Sequence, residues 1–187
     1  MEDKPQQQCV IPIHKPSQRE LIFFFLSGVL VSIPFALFFS NFYPFFPGVV
    51  APILVAPFVE ELAKVFPLFY RHGETERSLV TLGVFIGLGF GVSEFFLYVF
   101  IYNVPWIVRV PGVIFHASTA AVTAYGVAKK KPLAYYLTSV LLHGANNFFA
   151  LETSAFIGNL AELIIVIIIY LLAWRFYHQA SDQKMVV

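Results

Sequence analysis

The stretch APFVEELAKVFPLF, residues 56–69, carries the strongest signal in the chain. It places two adjacent glutamates and a lysine, Glu60, Glu61 and Lys64, inside a run of otherwise apolar residues. Ionisable side chains within an apolar span are costly in lipid, and they usually face the interior of a helix bundle, where they mark a functional site. The stretch therefore predicts a membrane-embedded helix that carries a buried polar site.

The composition around this stretch is that of a membrane protein. Of the 187 residues, 58% are hydrophobic and 12% are charged, and the mean hydropathy is +0.75, far from the balance of a soluble domain. The one cysteine, Cys9, lies in a polar leader, so an intramolecular disulfide and a cysteine-based metal site are both excluded. We expect the lipid bilayer as a partner, and neither nucleic acid nor a soluble cofactor.

Six apolar segments each approach the roughly 20 residues that a helix needs to cross a bilayer. Unpaired backbone groups are too costly in lipid, so each segment is expected to be helical. The predicted fold is an all-α integral membrane protein with about six transmembrane helices in one bundle. The predicted spans are residues 20–40, 47–69, 79–101, 107–128, 132–150 and 154–177. Kinks are expected at the prolines inside them, which are Pro34, Pro52, Pro57 and Pro111.

The basic residues between the spans indicate the orientation. They occur before the first span, between the second and third, between the fourth and fifth, and after the sixth, whereas residues 41–46 and 151–153 include none. By the positive-inside rule, both termini are expected in the cytoplasm. Residues 1–19 lack the apolar core and cleavage site of a removable signal peptide. We therefore expect a multi-pass protein of a prokaryotic plasma membrane, with a cytoplasmic leader at 1–19, a membrane domain at 20–177 and a cytoplasmic tail at 178–187.

The third predicted span carries glycines at a regular spacing. Gly83, Gly87 and Gly91 recur every four residues, with Gly89 beside them. Glycines at this spacing form a groove along one helix face, where another backbone can approach closely. Tight packing alone would explain the pattern. Glu94, one turn beyond Gly91 on nearly the same face, indicates that the packed face also carries a polar group.

Further polar residues fall at a similar depth on other spans. They are Glu94, His116 and His143, with Asn147 one turn after His143. With a rise of 1.5 Å per residue, the first three lie roughly 12–15 Å from the outer boundary and Glu60 roughly 20 Å. Four helices are therefore expected to contribute to one site near the middle of the bilayer.

Each of these residues also has a purely structural interpretation. Glu60 and Glu61 could neutralise Lys64, although that leaves one carboxylate uncompensated, and His143 with Asn147 could form an interhelical contact. The other polar residues of the spans are kept outside the site. Arg109 is interpreted as an interfacial side chain, Glu162 as structural or partner-facing, Thr119 as a partner of His116, and Ser93 and Ser118 as unsupported nucleophiles.

The combination of groups predicts hydrolytic chemistry. Lys64 can keep one glutamate ionised, so that this carboxylate can take a proton from water. Histidines and an amide can stabilise a developing oxyanion or protonate a leaving amine. A zinc site is the alternative, because histidine and glutamate can hold Zn²⁺ with a position open for water, although the sequence lacks H-E-x-x-H.

Four motifs in order carry a resemblance to a known family. They are E-E-x-x-K at residues 60–64, G-F-G-x-x-E at 89–94, F-H at 115–116 and H-x-x-x-N at 143–147. The chain resembles the PrsW family of intramembrane proteases, within a wider superfamily of CAAX prenyl endopeptidases and bacteriocin-processing or immunity proteins. The CAAX branch more often has E-E-x-x-x-R, whereas position 65 is valine here, which favours the PrsW side.

The resemblance implies a hydrolase, a membrane-embedded peptidase in which a glutamate activates water. By motif, Glu60 would be the general base and Glu61 its support. The remaining motif residues would stabilise the tetrahedral intermediate or tune a histidine; these are His116, His143, Asn147 and Glu94. Members of the family are classed both as metalloproteases and as metal-independent glutamic proteases. We favour the glutamic type without a cofactor, with Zn²⁺ held by His116, His143, Glu60 and Glu94 as the alternative.

Two other classes of function remain open. Buried glutamate and histidine side chains also serve as proton relays in transporters, although no pair of inverted broken helices is evident. A non-catalytic membrane scaffold or immunity-type protein could keep the same fold. For the enzyme, the expected substrate is a membrane-associated protein or peptide.

Overall fold

The computed structural model describes residues 15–40, 45–46, 48–70, 74–151 and 155–186. This part of the chain forms six α-helices and no strand, apart from one isolated bridge between Thr75 and Met185. The predicted all-α fold is confirmed. The leader, including Cys9, and parts of the loops at 41–46 and 151–153 lie outside the described residues.

The helices follow the predicted segments closely. Their bounds are Gln18–Ser40 (α1), Ala56–Val65 (α2), Glu76–Phe96 (α3), Trp106–Ala128 (α4), Pro132–Ala150 (α5) and Ala155–Gln179 (α6). Within the described part of the chain, three apolar helical stretches are long enough to cross a membrane: Glu76–Ile101, Trp106–Ala128 and Ile157–Gln179. Pro34 and Pro111 lie inside α1 and α4 without ending them.

Local sequence signals explain where two helices begin. Ser17 and Glu20 form a reciprocal capping box, in which the Ser17 amide donates to Glu20 Oε2 at 2.8 Å and the Glu20 amide to Ser17 Oγ at 3.3 Å. At α3, Thr75 Oγ1 accepts from the Ser78 amide at 3.2 Å. Each cap satisfies a backbone donor that the first helical turn cannot use.

The segment predicted as one helix at 47–69 differs most from expectation. It consists of a π-helical turn at Ala51–Val55, the short helix α2, and a 3-10 turn at Phe66–Tyr70. In the π-helical turn, the Ala56 amide donates to the Ala51 carbonyl. The next acceptor in that pattern, the Pro52 carbonyl, would need the amide of residue 57, which is a proline and has no N–H.

The glycines of α3 bring neighbouring backbones close on two sides. A Cβ added to Gly87 would lie 2.6 Å from Ala117 Cα, and one added to Gly91 would lie 2.8 Å from Val113 Cα, both on α4. On the other side, Gly89 faces the backbone of α1, where a Cβ would lie 3.1 Å from the Val29 amide nitrogen. Glycine is needed here because it alone lets these helices approach so closely.

Apolar contacts complete the bundle. One cluster of buried side chains joins α3, α4 and α6 around Val122 and Ile169, and another joins α1, α3 and α4 around Phe24 and Ile86. Large apolar side chains also cover the outside, where Leu141 is 72% exposed and Leu30 is 67% exposed. An apolar exterior around a packed interior is the pattern of a protein surrounded by lipid.

We expect Gly87→Ala to lower the free energy of unfolding by about 1–3 kcal/mol, because the added methyl group forces α3 away from α4. Gly112→Ala is the matched control, since the nearest atom to its added Cβ is Arg109 Nη2 at 3.8 Å. Thermal unfolding in detergent measures both changes. Equal unfolding temperatures for the two variants would contradict the packing role of Gly87.

The tail after α6 is docked on the start of α3. The Glu76 amide donates to the Lys184 carbonyl at 3.0 Å, the Arg77 amide to the Ser181 carbonyl at 3.2 Å, and the Val186 amide to the Glu74 carbonyl at 2.8 Å. Two of these bonds satisfy amides of the first turn of α3. The tail therefore closes one end of the bundle.

Side chains reinforce this junction. Lys129 Nζ lies 2.6 Å from Glu76 Oε2, a hydrogen bond that raises the pKa of Lys129. Arg77 donates to Asp182 at 2.5 Å and to the Ala180 carbonyl at 2.9 Å. The junction thus links α3, the end of α4 and the tail.

We expect removal of residues 180–187 to lower the free energy of unfolding by roughly 2–3 kcal/mol, since each lost backbone hydrogen bond contributes about 1 kcal/mol. Asp182→Asn removes only a part-exposed ion pair and should change it by less than about 1 kcal/mol. The two unfolding temperatures are to be compared in the same detergent. A truncated chain as stable as the full chain would refute the docking role.

Candidate active site

Glu61 is the buried anchor of the site on α2. Its side chain is 0% exposed, and its Oε1 accepts from Lys64 Nζ at 2.6 Å and from His143 Nδ1 at 2.7 Å. The lysine follows three residues later, so helical spacing alone brings it to the same face. Glu61 is thus neutralised by its own helix and held by α5.

The Glu60 side chain points in a different direction from that of Glu61, because consecutive helical residues diverge by about 100°. Its Oε2 is buried and has no hydrogen-bond partner within the part of the chain that the structure describes. His143 Nε2 lies 3.7 Å from this oxygen. A carboxylate only accepts, so Nδ1 of His143 donates to Glu61, and in the neutral imidazole Nε2 is then an acceptor facing Glu60.

His116 on α4 links the pair on α2 to Glu94 on α3. Its Nδ1 lies 2.7 Å from Lys64 Nζ and its Nε2 lies 2.5 Å from Glu94 Oε2. An ammonium group only donates, so Nδ1 accepts and the Nε2–H donates to Glu94. The His116 and His143 rings are 5.3 Å apart between centroids. Four helices therefore converge on one polar network, as the depth argument expected.

Two further residues contact this network: Phe90, which belongs to the G-F-G-x-x-E motif, and Arg109, which lies outside the four motifs. Arg109, which we interpreted as an interfacial side chain, donates from Nη2 to Glu94 Oε2 at 3.3 Å, with its guanidinium 3.9 Å above the Tyr98 ring. Phe90 lies under Lys64, whose Nζ is 4.7 Å from the ring centroid. Arg109 precedes His116 by seven residues, about two helical turns, and no motif in the sequence indicated its contact with the network.

Asn147 lies beside the site but serves another group. Its Nδ2 donates to the Pro52 carbonyl at 2.8 Å, the acceptor that the proline at 57 leaves without a helical partner. On the same face of α5, Gly144 meets the Ile53 carbonyl and the Tyr136 hydroxyl donates to the Phe58 carbonyl at 2.5 Å. This face of α5 holds the irregular start of α2, and with it Glu60, in position.

The other polar candidates are bonded away from the network. Ser93 forms a hydrogen bond with Ser32 of α1, and the hydroxyl of Ser118 donates to the Ile114 carbonyl. Thr119 donates to the backbone carbonyl of His116 at 3.2 Å and not to its ring.

The charges of the network do not balance. Among the described residues, the carboxylates of Glu60, Glu61 and Glu94 face two fixed cations, Lys64 and Arg109. If the histidines are neutral, one negative charge is left over in a buried setting, where an uncompensated charge is costly. The site is therefore suited to hold a proton or a cation next to Glu60.

The donor set fits a zinc ion. Ligand atoms of Glu60, His116 and His143 all lie within 4.8 Å of one another. Nδ1 of His143 donates to the Glu61 carboxylate, and a metal-binding histidine typically has such a partner on its other nitrogen. His116 could bind a metal only after it releases Lys64 or Glu94, because both of its nitrogens are engaged.

The fold and the site together define a class of protein: a helical membrane protein with a buried glutamate–histidine cluster contributed by several helices. The sequence model of the PrsW family intramembrane metalloprotease matches residues 16–174. The chain belongs to this family, and the predicted resemblance is confirmed. Comparison with curated proteins and with solved structures found no match.

Proposed function

We propose that the chain is an intramembrane endopeptidase that hydrolyses a peptide bond of a membrane-associated protein or peptide by glutamate-activated water. One observation carries the proposal. Glu60 Oε2 is buried, lacks a hydrogen-bond partner among the described residues and faces His143 Nε2 at 3.7 Å. Glu61 Oε2 is also buried without a partner among the described residues, but Glu61 Oε1 is bonded to Lys64 and His143. The gap between Glu60 Oε2 and His143 Nε2 is therefore where a water would be bound.

In the proposed reaction, a single water molecule donates one hydrogen bond to Glu60 and a second to His143. These two bonds orient a lone pair of the water oxygen toward the substrate carbonyl. Glu60 takes a proton as the water oxygen attacks the carbonyl carbon. The proton then passes to the leaving nitrogen, and the C–N bond breaks to give an acid and an amine. Nε2 of His143 can donate a hydrogen bond to the oxyanion only while the ring holds the proton taken from water, before that proton reaches the leaving nitrogen.

The supporting residues have distinct proposed roles. Glu61 fixes the orientation of His143, and Lys64 keeps Glu61 ionised. Glu94 holds His116, whose ring positions the Lys64 ammonium. Asn147, which we expected to stabilise the intermediate, is proposed to act as a positioning residue through the Pro52 carbonyl.

Zinc-dependent hydrolysis is the second candidate. It is favoured by the cluster of Glu60, His116 and His143, by the uncompensated negative charge, and by the description of the family as metalloproteases. These three residues would hold the ion. A bound zinc would polarise the carbonyl and lower the pKa of water.

The membrane arrangement belongs to the same proposal. We infer six spans with both termini cytoplasmic, a leader at 1–19, a membrane domain at 20–177 and a cytoplasmic tail at 178–187, in a multi-pass protein of a plasma membrane. The distribution of basic residues supports this topology.

The test compares the purified wild type with Glu60→Gln and His143→Ala on a candidate membrane substrate, with and without chelator. Loss of cleavage in both variants without a chelator effect supports the glutamate mechanism. Loss on chelation, restored by zinc, supports the metal mechanism, and bound zinc should then fall in His143→Ala. Unchanged cleavage in both variants removes the site assignment. Proton flux abolished by the same changes, without proteolysis, assigns the protein to transport.

A further inference from the structure

A cavity of about 230 Å³ lies next to the polar network, between the first half of α4, the end of α5 and the first half of α6. By the expected topology, these helix portions are the outer ones. Its lining includes Arg109, Asn146, Asn159 and Glu162 among apolar side chains. Such a mixture of apolar walls and a few polar groups is typical of a ligand site.

Two atoms of the lining residues are buried without a partner in the described part of the chain. They are Asn146 Oδ1, a hydrogen-bond acceptor, and Arg109 Nε, a donor. Buried polar groups are rarely left unsatisfied, so each such atom indicates something that is bound there. An acceptor and a donor that line the same cavity would complement the N–H and C=O of a peptide group.

The charge of the cavity is set by Glu162. Its carboxylate forms no hydrogen bond or ion pair with any residue that the structure describes. Arg109, which lines the same cavity, attracts Glu162 electrostatically, but its guanidinium is bonded to Glu94 and lies over Tyr98. A cationic group in the cavity would therefore be stabilised next to Glu162.

The position of the cavity fits a substrate that reaches the proposed catalytic residues. Asn146 follows His143 by three residues, a rise of about 4.5 Å, and Arg109 precedes His116 by seven residues, a rise of roughly 10 Å. An extended peptide advances about 3.3 Å per residue. A residue bound in the cavity would be roughly one to three positions from the scissile bond.

We propose that this cavity binds an extended peptide segment of the substrate, with a lysine or arginine side chain paired to Glu162 and a main-chain peptide group bonded to Asn146 and Arg109. The inference rests on the proposed function, since it makes the cavity the specificity site of the same reaction. The substrate class is thus a membrane-anchored chain with a basic residue close to the cut on its outer side.

Binding is tested in a Glu60→Gln background, where no turnover is needed. The probes are fluorescent peptides with one apolar span and an outer flank that contains either lysine or glutamine at one position. We expect the lysine peptide to bind at least about tenfold more tightly, equivalent to about 1.4 kcal/mol. Glu162→Gln should abolish this preference. Asp182→Asn, which also replaces a carboxylate by its amide but at the opposite end of the bundle, should keep it.

The second variant is Asn146→Leu, which should weaken the binding of both peptides equally because it removes a main-chain contact. Glu162→Lys should reverse the preference toward a peptide with glutamate at the same position. Equal affinity for lysine and glutamine peptides in the parent protein, or a preference that survives Glu162→Gln, would overturn the inference.

Cleavage by the enzyme with Glu60 intact separates this inference from the proposed function. Cleavage that does not distinguish lysine from glutamine peptides, and does not change in Glu162→Gln, contradicts only the specificity site. A lysine preference in binding without any cleavage contradicts only the peptidase assignment.

Discussion

Replacing Glu60 by glutamine is expected to lower kcat for peptide hydrolysis by about 10³-fold, because a general base contributes 10²–10⁴ and glutamine cannot take the proton. The substitution keeps the size of the side chain. KM and the unfolding temperature should therefore change little, which distinguishes a chemical role from a structural one.

Glu20→Gln is the matched control, because Glu20 bonds to Ser17 at the start of α1, outside the network. Its kcat should equal that of the wild type. If Glu60→Gln retained wild-type kcat on the same substrate, Glu60 would not be the base, and the glutamate mechanism would fail.

Replacing Lys64 by methionine should lower the free energy of unfolding by about 3–5 kcal/mol, the usual cost of removing one partner from a buried ion pair. Lys64 is 0% exposed and donates to both Glu61 and His116. Methionine fills a similar volume, so the loss reports the stranded carboxylate of Glu61 and not a cavity. Unfolding in detergent, followed by tryptophan fluorescence, gives the change.

The double variant Lys64→Met with Glu61→Gln tests the cause. If the stranded charge is responsible, the double variant should lose less free energy of unfolding than the two single variants lose together, by about 0.5–3 kcal/mol. Lys131→Met, at an exposed lysine, should change stability by no more than about 0.5 kcal/mol. Strict additivity of the single changes would mean that Lys64 and Glu61 are not coupled.

The sequence predicted the polar network because its members are costly in lipid and had to meet at one depth. Glu60, His116 and His143 do lie together, and Glu94 bonds to His116. Helical spacing also predicted the pairing of Glu61 with Lys64 as one of the open interpretations. Roles for these residues remain predictions until the variants are measured.

The interrupted second helix could not be predicted from hydropathy. An apolar run looks the same whether its backbone is α-helical or π-helical, and the Pro52 carbonyl finds its donor on Asn147, 95 residues further along the chain. The contacts of Arg109 could not be predicted for a related reason. Arg109 donates to a carboxylate on α3 and lies over an aromatic ring just beyond that helix, contacts that no local pattern of the sequence indicates.

The docking of the tail could not be predicted from sequence patterns either. Residues 180–186 are mostly polar and have neither helical nor strand periodicity, so nothing local predicts their order. Their conformation depends on backbone bonds to Glu74, Glu76 and Arg77, far away in the sequence. Only the three-dimensional fold brings these donors and acceptors together.

This docking has a practical consequence for handling the protein. An affinity tag or reporter fused after the carboxyl end would disturb the hydrogen bonds between residues 74–77 and 180–186. A tag placed before residue 15 would leave these bonds unchanged. Solubilised yield and orientation mapping with fluorescent fusions should accordingly be more dependable from the amino-terminal side.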